Sequence, residues 1–233
     1  MVDAYANSVE DRLIDGLTFK LNPGASYINE RKLSSFFASG SNIYNPTQGT
    51  KLIRFALTGK DWADPNTFRV MFDVQNKDLA TGTRVPNLRP VSGPWSMFRR
   101  VRLLSNNQLI EDIDYYNRCH ELFETLTNGD SRLNESVEGF GYKWDEHATN
   151  TEKLLYAGIA PGQKQTVCFK PLLGLLNQPK LLPLEYIQSL VLEMELVDDP
   201  AEAVMANVAP FTADNNSSLW QLSNVKVLCD IIS

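Results

Sequence analysis

The run Leu181–Val197, LLPLEYIQSLVLEMELV, constrains the fold more than any other stretch of the chain. After a proline-set turn, Leu190, Leu192, Met194 and Leu196 point one way and Val191, Glu193, Glu195 and Val197 point the other. A period of two marks a strand with one face on a core and one that tolerates water. Leu, Met and Glu are good helix formers, but on a helix Glu193 and Glu195 would lie well apart around the axis and split the apolar stripe. The stretch is therefore read as a strand.

The same rhythm recurs along the chain. KLIRFALT, residues 51–58, sets Ile53, Phe55 and Leu57 against Arg54, Ala56 and Thr58. FRVMFDVQN alternates most cleanly, with Phe68, Val70, Phe72 and Val74 inward and Arg69, Met71, Asp73 and Gln75 outward. Residues 95–104 and 108–113 read as two strands joined at Ser105, Asn106 and Asn107, where asparagines accept positive φ in a tight hairpin. Short strands are expected at 17–21 (LTFKL), stopped by Asn22, Pro23 and Gly24, and at 165–169. The last covers 220–232, where Val225, Val227, Cys229 and Ile231 alternate with Asn224, Lys226, Leu228 and Asp230.

Between these, residues 29–44 read as a loop anchored by Phe36 and Phe37, and 60–67 as a turn around Asp64, Pro65 and Asn66. Prolines at 86, 90 and 94 forbid regular ladder pairing in that loop. Residues 114–126 change period: Tyr115, Cys119, Leu122, Phe123 and Leu126 fall on the apolar face of one amphipathic helix, with Asp112 or Asp114 as its cap. A helical turn is expected over 171–177 and a helical stretch over 201–206. Eight strands, one helix, no βαβ rhythm and no internal repeat leave two packed antiparallel sheets: an all-β, eight-stranded jelly-roll sandwich with long loops. The expected organisation is an arm over 1–15 and one jelly-roll domain over 16–233, with a polar loop insertion around 128–164.

Composition bounds the function. The 233 residues are 43% hydrophobic and 21% charged, ordinary for a globular chain able to bury a sizeable core. A net charge of -6 gives no general attraction to phosphate backbones or anionic lipid, and no apolar run approaches the roughly 18 residues that span a bilayer. Neither direct nucleic-acid binding nor membrane insertion is expected. Arg99, Arg100 and Arg102 sit inside a strand, where a solvated or subunit-facing sheet face is the ordinary role. Cys119, Cys168 and Cys229 form no short-spaced motif, which fits a reduced setting.

Catalytic constellations are weak. His120 and His147 are the only histidines and neither has a patterned partner for a metal. Cys119 and His120 point about 100° apart on a helix, poor geometry for a nucleophile pair, so a buried Cys and a surface His are expected instead. Glu193 and Glu195 share a strand face, read as solvated or intersubunit; Asp198, Asp199 and Asp214 lack any calcium-loop spacing. No residue is assigned a catalytic, cofactor-binding or metal-ligating role, and no cofactor is expected. Tyr142, Trp144 and Tyr156 offer stacking platforms for a second reading, a carbohydrate-binding module.

Four stretches carry a resemblance: FRVMFDVQN, WSMFRRVRLLSNNQLIEDIDYYNR, FKPLLGLLNQPKLLPLEYIQSLVLEMELV and LWQLSNVKVLCDII. In this order they resemble the first jelly roll of double jelly-roll major capsid proteins of polinton, adintovirus and virophage kind. That resemblance implies a structural, non-enzymatic protein of the virion, assembled in the host cell. Its partners would be copies of itself, as a trimer or higher capsomer, and other capsid proteins. The sequence holds one jelly roll where that family has two, which implies either a piece of a longer protein or a single jelly-roll capsid protein.

Overall fold

A computed structural model describes residues 28, 30–47, 49–91, 93–127, 158–187, 189–205 and 216–233. Its strands are β1 (Arg31–Ser39), β2 (Ile43–Tyr44), β3 (Leu52–Leu57), β4 (Trp62–Ala63), β5 (Arg69–Asn76), β6 (Phe98–Ser105), β7 (Gln108–Asp114), β8 (Lys164–Phe169), β9 (Leu182–Pro183), β10 (Leu190–Leu196) and β11 (Trp220–Ile232), with one helix, α1 (Tyr116–Thr125).

The eight longer strands pair from the outside in: β1 with β11, β3 with β10, β5 with β8, and β6 with β7, all antiparallel. That is one long hairpin folded over on itself. Wrapping adds the contacts β5–β11 and β6–β10, giving a first sheet β8–β5–β11–β1 and a second sheet β7–β6–β10–β3. The tip of β1 crosses over, since Ala38 and Ser39 pair with β3. This is the all-β jelly-roll sandwich expected from the alternation.

Alternation decides which face is buried. Ile53, Phe55 and Leu57 of β3, Val70, Phe72 and Val74 of β5, and Leu190, Leu192, Met194 and Leu196 of β10 are all fully buried. Phe72 holds the centre, edge-on to Phe98 at 5.4 Å and to Phe169 at 6.3 Å between ring centroids. In β11 the buried positions switch from Trp220 and Leu222 to Val225, Val227 and Cys229. A bulge between Ser223 and Lys226, with Asn224 at φ 53°, inserts the residue that resets the parity and keeps both halves facing the core. The β6–β7 turn is as expected, with Asn106 at φ 48° and Asn107 at φ 65°.

Several expectations are corrected. Residues 31–39 form β1, not a loop: RKLSSFFAS has little apolar alternation, and its strand state comes from pairing with β11. The segment 17–21 lies outside the described residues. Residues 94–97 form a 3-10 turn with Trp95 and Met97 buried, so β6 begins at Phe98 rather than Trp95. Gly93 is required there, because a Cβ would sit 2.3 Å from the Trp95 ring. The helical stretch expected over 201–206 is a 3-10 turn over Pro200–Ala203, capped by Asp199.

α1 is rotated relative to expectation. Tyr116 and His120 are buried, while Tyr115, Leu122, Phe123 and Leu126 are exposed, Leu126 at 76%. The end of the sandwich explains this. It presents the indole of Trp95, on which His120 stacks at 4.1 Å, and the amide of Leu172, which donates to the Tyr116 hydroxyl at 2.8 Å. Aromatics with a polar tip satisfy both, and aliphatic side chains do not. Neither Asp112 nor Asp114 caps the helix; it begins from Tyr115 in the left-handed region with no side-chain cap bond.

Phe72→Ala is expected to lower unfolding free energy by about 3–5 kcal/mol, whereas Leu122→Ala on the outward helix face changes it by no more than about 0.5 kcal/mol. Urea titrations of both variants check the two faces together.

Candidate functional site

Charged residues concentrate on the outer face of the second sheet, and register places them. Glu193 in β10 stands directly opposite Arg54 of β3 on one side and Arg102 of β6 on the other. Its carboxylate accepts from both guanidinium groups, at 2.8 and 3.0 Å. Glu193 is only 5% exposed, covered by the two arginines. Arg100 forks onto Asp112 of β7 at 2.8 and 2.5 Å, and that hydrogen bonding holds the Asp112 carboxyl below its ordinary range. Arg99 reaches Asp114 at 3.7 Å and also pairs with Asp198, which Lys51 contacts at 3.1 Å.

The Arg99, Arg100 and Arg102 cluster is therefore not a bare solvated face; each guanidinium is spent on a carboxylate from a neighbouring strand or loop. Of Glu193 and Glu195, read from the sequence as a solvated or intersubunit face, Glu193 is instead buried in its ion triad, while Glu195 stays half-buried beside it. Asp198 and Asp199 diverge, one to Lys51 and Arg99, the other capping Ala201 through a 2.9 Å bond.

On the first sheet, Asp73 of β5 is almost buried although its position in the alternation is outward. It accepts from the Thr166 hydroxyl at 2.6 Å, the Asn224 amide at 2.7 Å and Lys164 Nζ at 3.5 Å. Burial pushes its carboxyl up, but the bonds from Thr166 and Asn224 and the Lys164 charge outweigh that and hold it below its ordinary range. A cleft of about 280 Å³ opens beside it, with Phe37, Met71 and Lys226 on its walls. Sequence reasoning missed Asp73; the signal available was the polar Thr166 that β8 sets opposite it. With its donors in place the carboxylate staples β5, β8 and the β11 bulge.

Cys119 and His120 are reversed from expectation, His120 being buried and Cys119 half-buried. His120 Nε2 lies 3.4 Å from the Lys170 carbonyl and Nδ1 lies 3.9 Å from Glu124. Burial lowers its pKa below the usual 6.5, against the raising effects of the Lys170 carbonyl and Glu124. Cys229 is buried and its thiol is pushed up to about 11, which keeps it protonated and inert at neutral pH. His147, Asp214, Tyr142, Trp144 and Tyr156 lie outside the described residues. Among the described residues no group of three His, Cys, Asp or Glu is placed to hold a metal, and no helix is long and apolar enough to cross a membrane.

What the geometry defines is a jelly roll in which the Glu193 triad, the Arg100–Asp112 fork and the Asp73 network tie neighbouring strands together. No family model and no curated protein matches the chain. Among solved structures it is similar to the PBCV-1 virus capsid in its quasi-atomic model, with a TM-score of 0.52 and 17% identity over 93% of this chain. That alignment spans 46% of the PBCV-1 chain, so this chain covers about half of its relative. The mavirus major capsid protein (TM-score 0.46, 11% identity, 94% of this chain and 49% of that one) and the Faustovirus major capsid protein (0.48, 8%, 92% and 56%) also match. The PBCV-1 likeness establishes the fold: this is a jelly roll of the kind seen in that capsid.

Two outcomes follow for the buried ionisable groups. Glu193→Gln leaves two arginines facing a neutral amide and is expected to destabilise by about 2 kcal/mol, below the cost of breaking a fully buried pair because both guanidiniums reach solvent; urea midpoints check it. For His120, the folded pKa is depressed, so its stability contribution is complete above 6.5 and is lost as pH falls from there through the folded value. Wild type is expected to weaken between pH 7.5 and 5.5 more than His120→Gln does, measured as the change in denaturation midpoint.

Proposed function

We propose that the chain is a structural capsid protein, a jelly-roll building block that assembles with copies of itself and with other capsid proteins into an icosahedral shell. The observation that supports this most is the outside-in strand wrapping, which gives the likeness to the PBCV-1 capsid over nearly the whole of this chain. A shell subunit needs a rigid sandwich, long loops and broad contact sides, and needs no perturbed catalytic group. The charge networks fit that demand, since they lock strand to strand. The outward apolar side chains of α1 and the exposed Leu109 and Ile110 of β7 are surfaces such contacts would use.

In the finer reading the subunits form trimers, residues 1–15 are an arm, 16–233 are the jelly roll and 128–164 are an insertion at the contact surface. The shell face does not itself coat nucleic acid, in keeping with the net negative charge and with arginines already paired. Catalysis plays no part in this role, and the protein resides in the virion after assembly in the host cell.

Light scattering coupled to size exclusion, over a concentration series, tests the proposal. A trimer or larger closed assembly is expected, and a strict monomer at every concentration, alone and with other capsid components, would count decisively against it.

A further inference from the structure

The outer face of the first sheet holds three cations that no described carboxylate neutralises. One step beyond the Val70–Phe169 pair, Arg69 of β5 and Lys170 fall directly opposite each other. Like charges at such a cross-strand position repel. On the other side of β5, Lys226 of β11 pairs with Met71, the next outward position. Val70, Phe169 and Val227 are buried, so Arg69, Lys170 and Lys226 share the outward face. The nearby acids are committed elsewhere. Arg31 takes both Asp64 and Asp230, and Asp73 is held by Thr166, Asn224 and Lys164. Among the described residues Arg69, Lys170 and Lys226 have no ion pair, and the Arg69 guanidinium donates only to the carbonyls of Asn66 and Phe68. Burial and then the Arg69 charge hold the Lys170 ammonium below its usual range, which Asp64 offsets only in part.

We propose that the acidic N-terminal segment of the same chain, residues 1–15, docks on this face and supplies the missing carboxylates. That segment carries Asp3, Glu10, Asp11 and Asp15 against the single cation Arg12. Its tether is long enough. Strand spacing and rise put Lys170 about 25 Å from Glu30, where β1 is entered, and the chain from Asp15 to Glu30 can span about 50 Å when extended. A free anionic partner is a poorer occupant, because the net charge of -6 repels nucleic acid or an anionic membrane at range. A tethered segment needs no such approach, since its linker holds it at high effective concentration. Met71 and Leu228, half-buried between the cations, offer apolar contact to Val9, Leu13 and Ile14 of the segment. Docking relieves the repulsion between Arg69 and Lys170. This deepens the reading of residues 1–15 as an arm and holds whether or not the chain builds a shell.

Zero-length carbodiimide cross-linking of the full chain tests it, because it joins lysines only to carboxylates in contact with them. Links from Lys170 and Lys226 to Asp3, Glu10, Asp11 or Asp15 are expected, exceeding those from the more exposed Lys60, Lys77 and Lys180. In a mixture of heavy-isotope-labelled and unlabelled chains, each link should join two peptides of one isotope. Arg69→Gln leaves both lysines reactive and removes one charge of the site, so it should lower these links several-fold while keeping the melting temperature. Glu10→Gln with Asp11→Asn, which changes no described residue, should lower the links from Asp3 and Asp15 as well. Links spread evenly over all these lysines, or unchanged in both variants, would overturn the proposal. Mixed-isotope links would overturn it too, since the segment of a second copy would then be the occupant. Failure of the links leaves the light-scattering test of the shell standing, and a chain that never assembles leaves the links to be read within one chain.

Discussion

The ladder between β1 and β11 sets Arg31 opposite Ile232 and closes the sandwich, and the rest of the fold depends on that long-range pairing holding its register. Of the four nested strand pairs, only β6–β7 is joined by a tight turn. The others bring together residues far apart in sequence, and their closure entropy comes before the contacts reward it. What prevents slippage is the strict alternation of β3, β5 and β10, since a one-residue shift would turn each buried row toward water. The bulge at Asn224 extends this control along β11, letting one strand serve both ends of the first sheet.

Electrostatics works as a second layer on top of that register. Because Glu193 is opposite Arg54 and Arg102 at once, the pairing that buries Leu192 and Met194 also builds the ion triad. Single exposed ion pairs add little, but a carboxylate covered by two guanidiniums penalises any register that separates them. Asp73 does the same on the first sheet, where Thr166, Asn224 and Lys164 converge on it from β8 and the β11 bulge. Both networks use charge for internal alignment. That leaves the described surface without a concentrated basic patch from Arg99, Arg100 and Arg102.

Much of the fold was legible in the chain because a strand half in a core writes itself as alternation. Phe68–Val74, Ile53–Leu57 and Leu190–Leu196 had this signature, and the Asn106–Asn107 turn carried its own positive-φ chemistry. β1 was not legible, because its side chains are exposed or half-exposed and its strand state is imposed by backbone bonds to β11. The helix was seen but its face was misjudged: the aliphatic stripe at Leu122, Phe123 and Leu126 is the usual core signal, yet Trp95 and the Leu172 amide select Tyr116 and His120. Glu193 and Asp73 looked outward by parity, and only their cross-strand neighbours bury them.

The sequence by itself determined the strand periods, the hairpin at Asn106–Asn107 and the all-β class, since these follow from local side-chain pattern and turn chemistry. Tertiary structure decided which strands became neighbours, which side of α1 is covered and which charges are neutralised. Those outcomes depend on groups brought together across most of the chain, and no local pattern encodes a partner that lies far away in sequence.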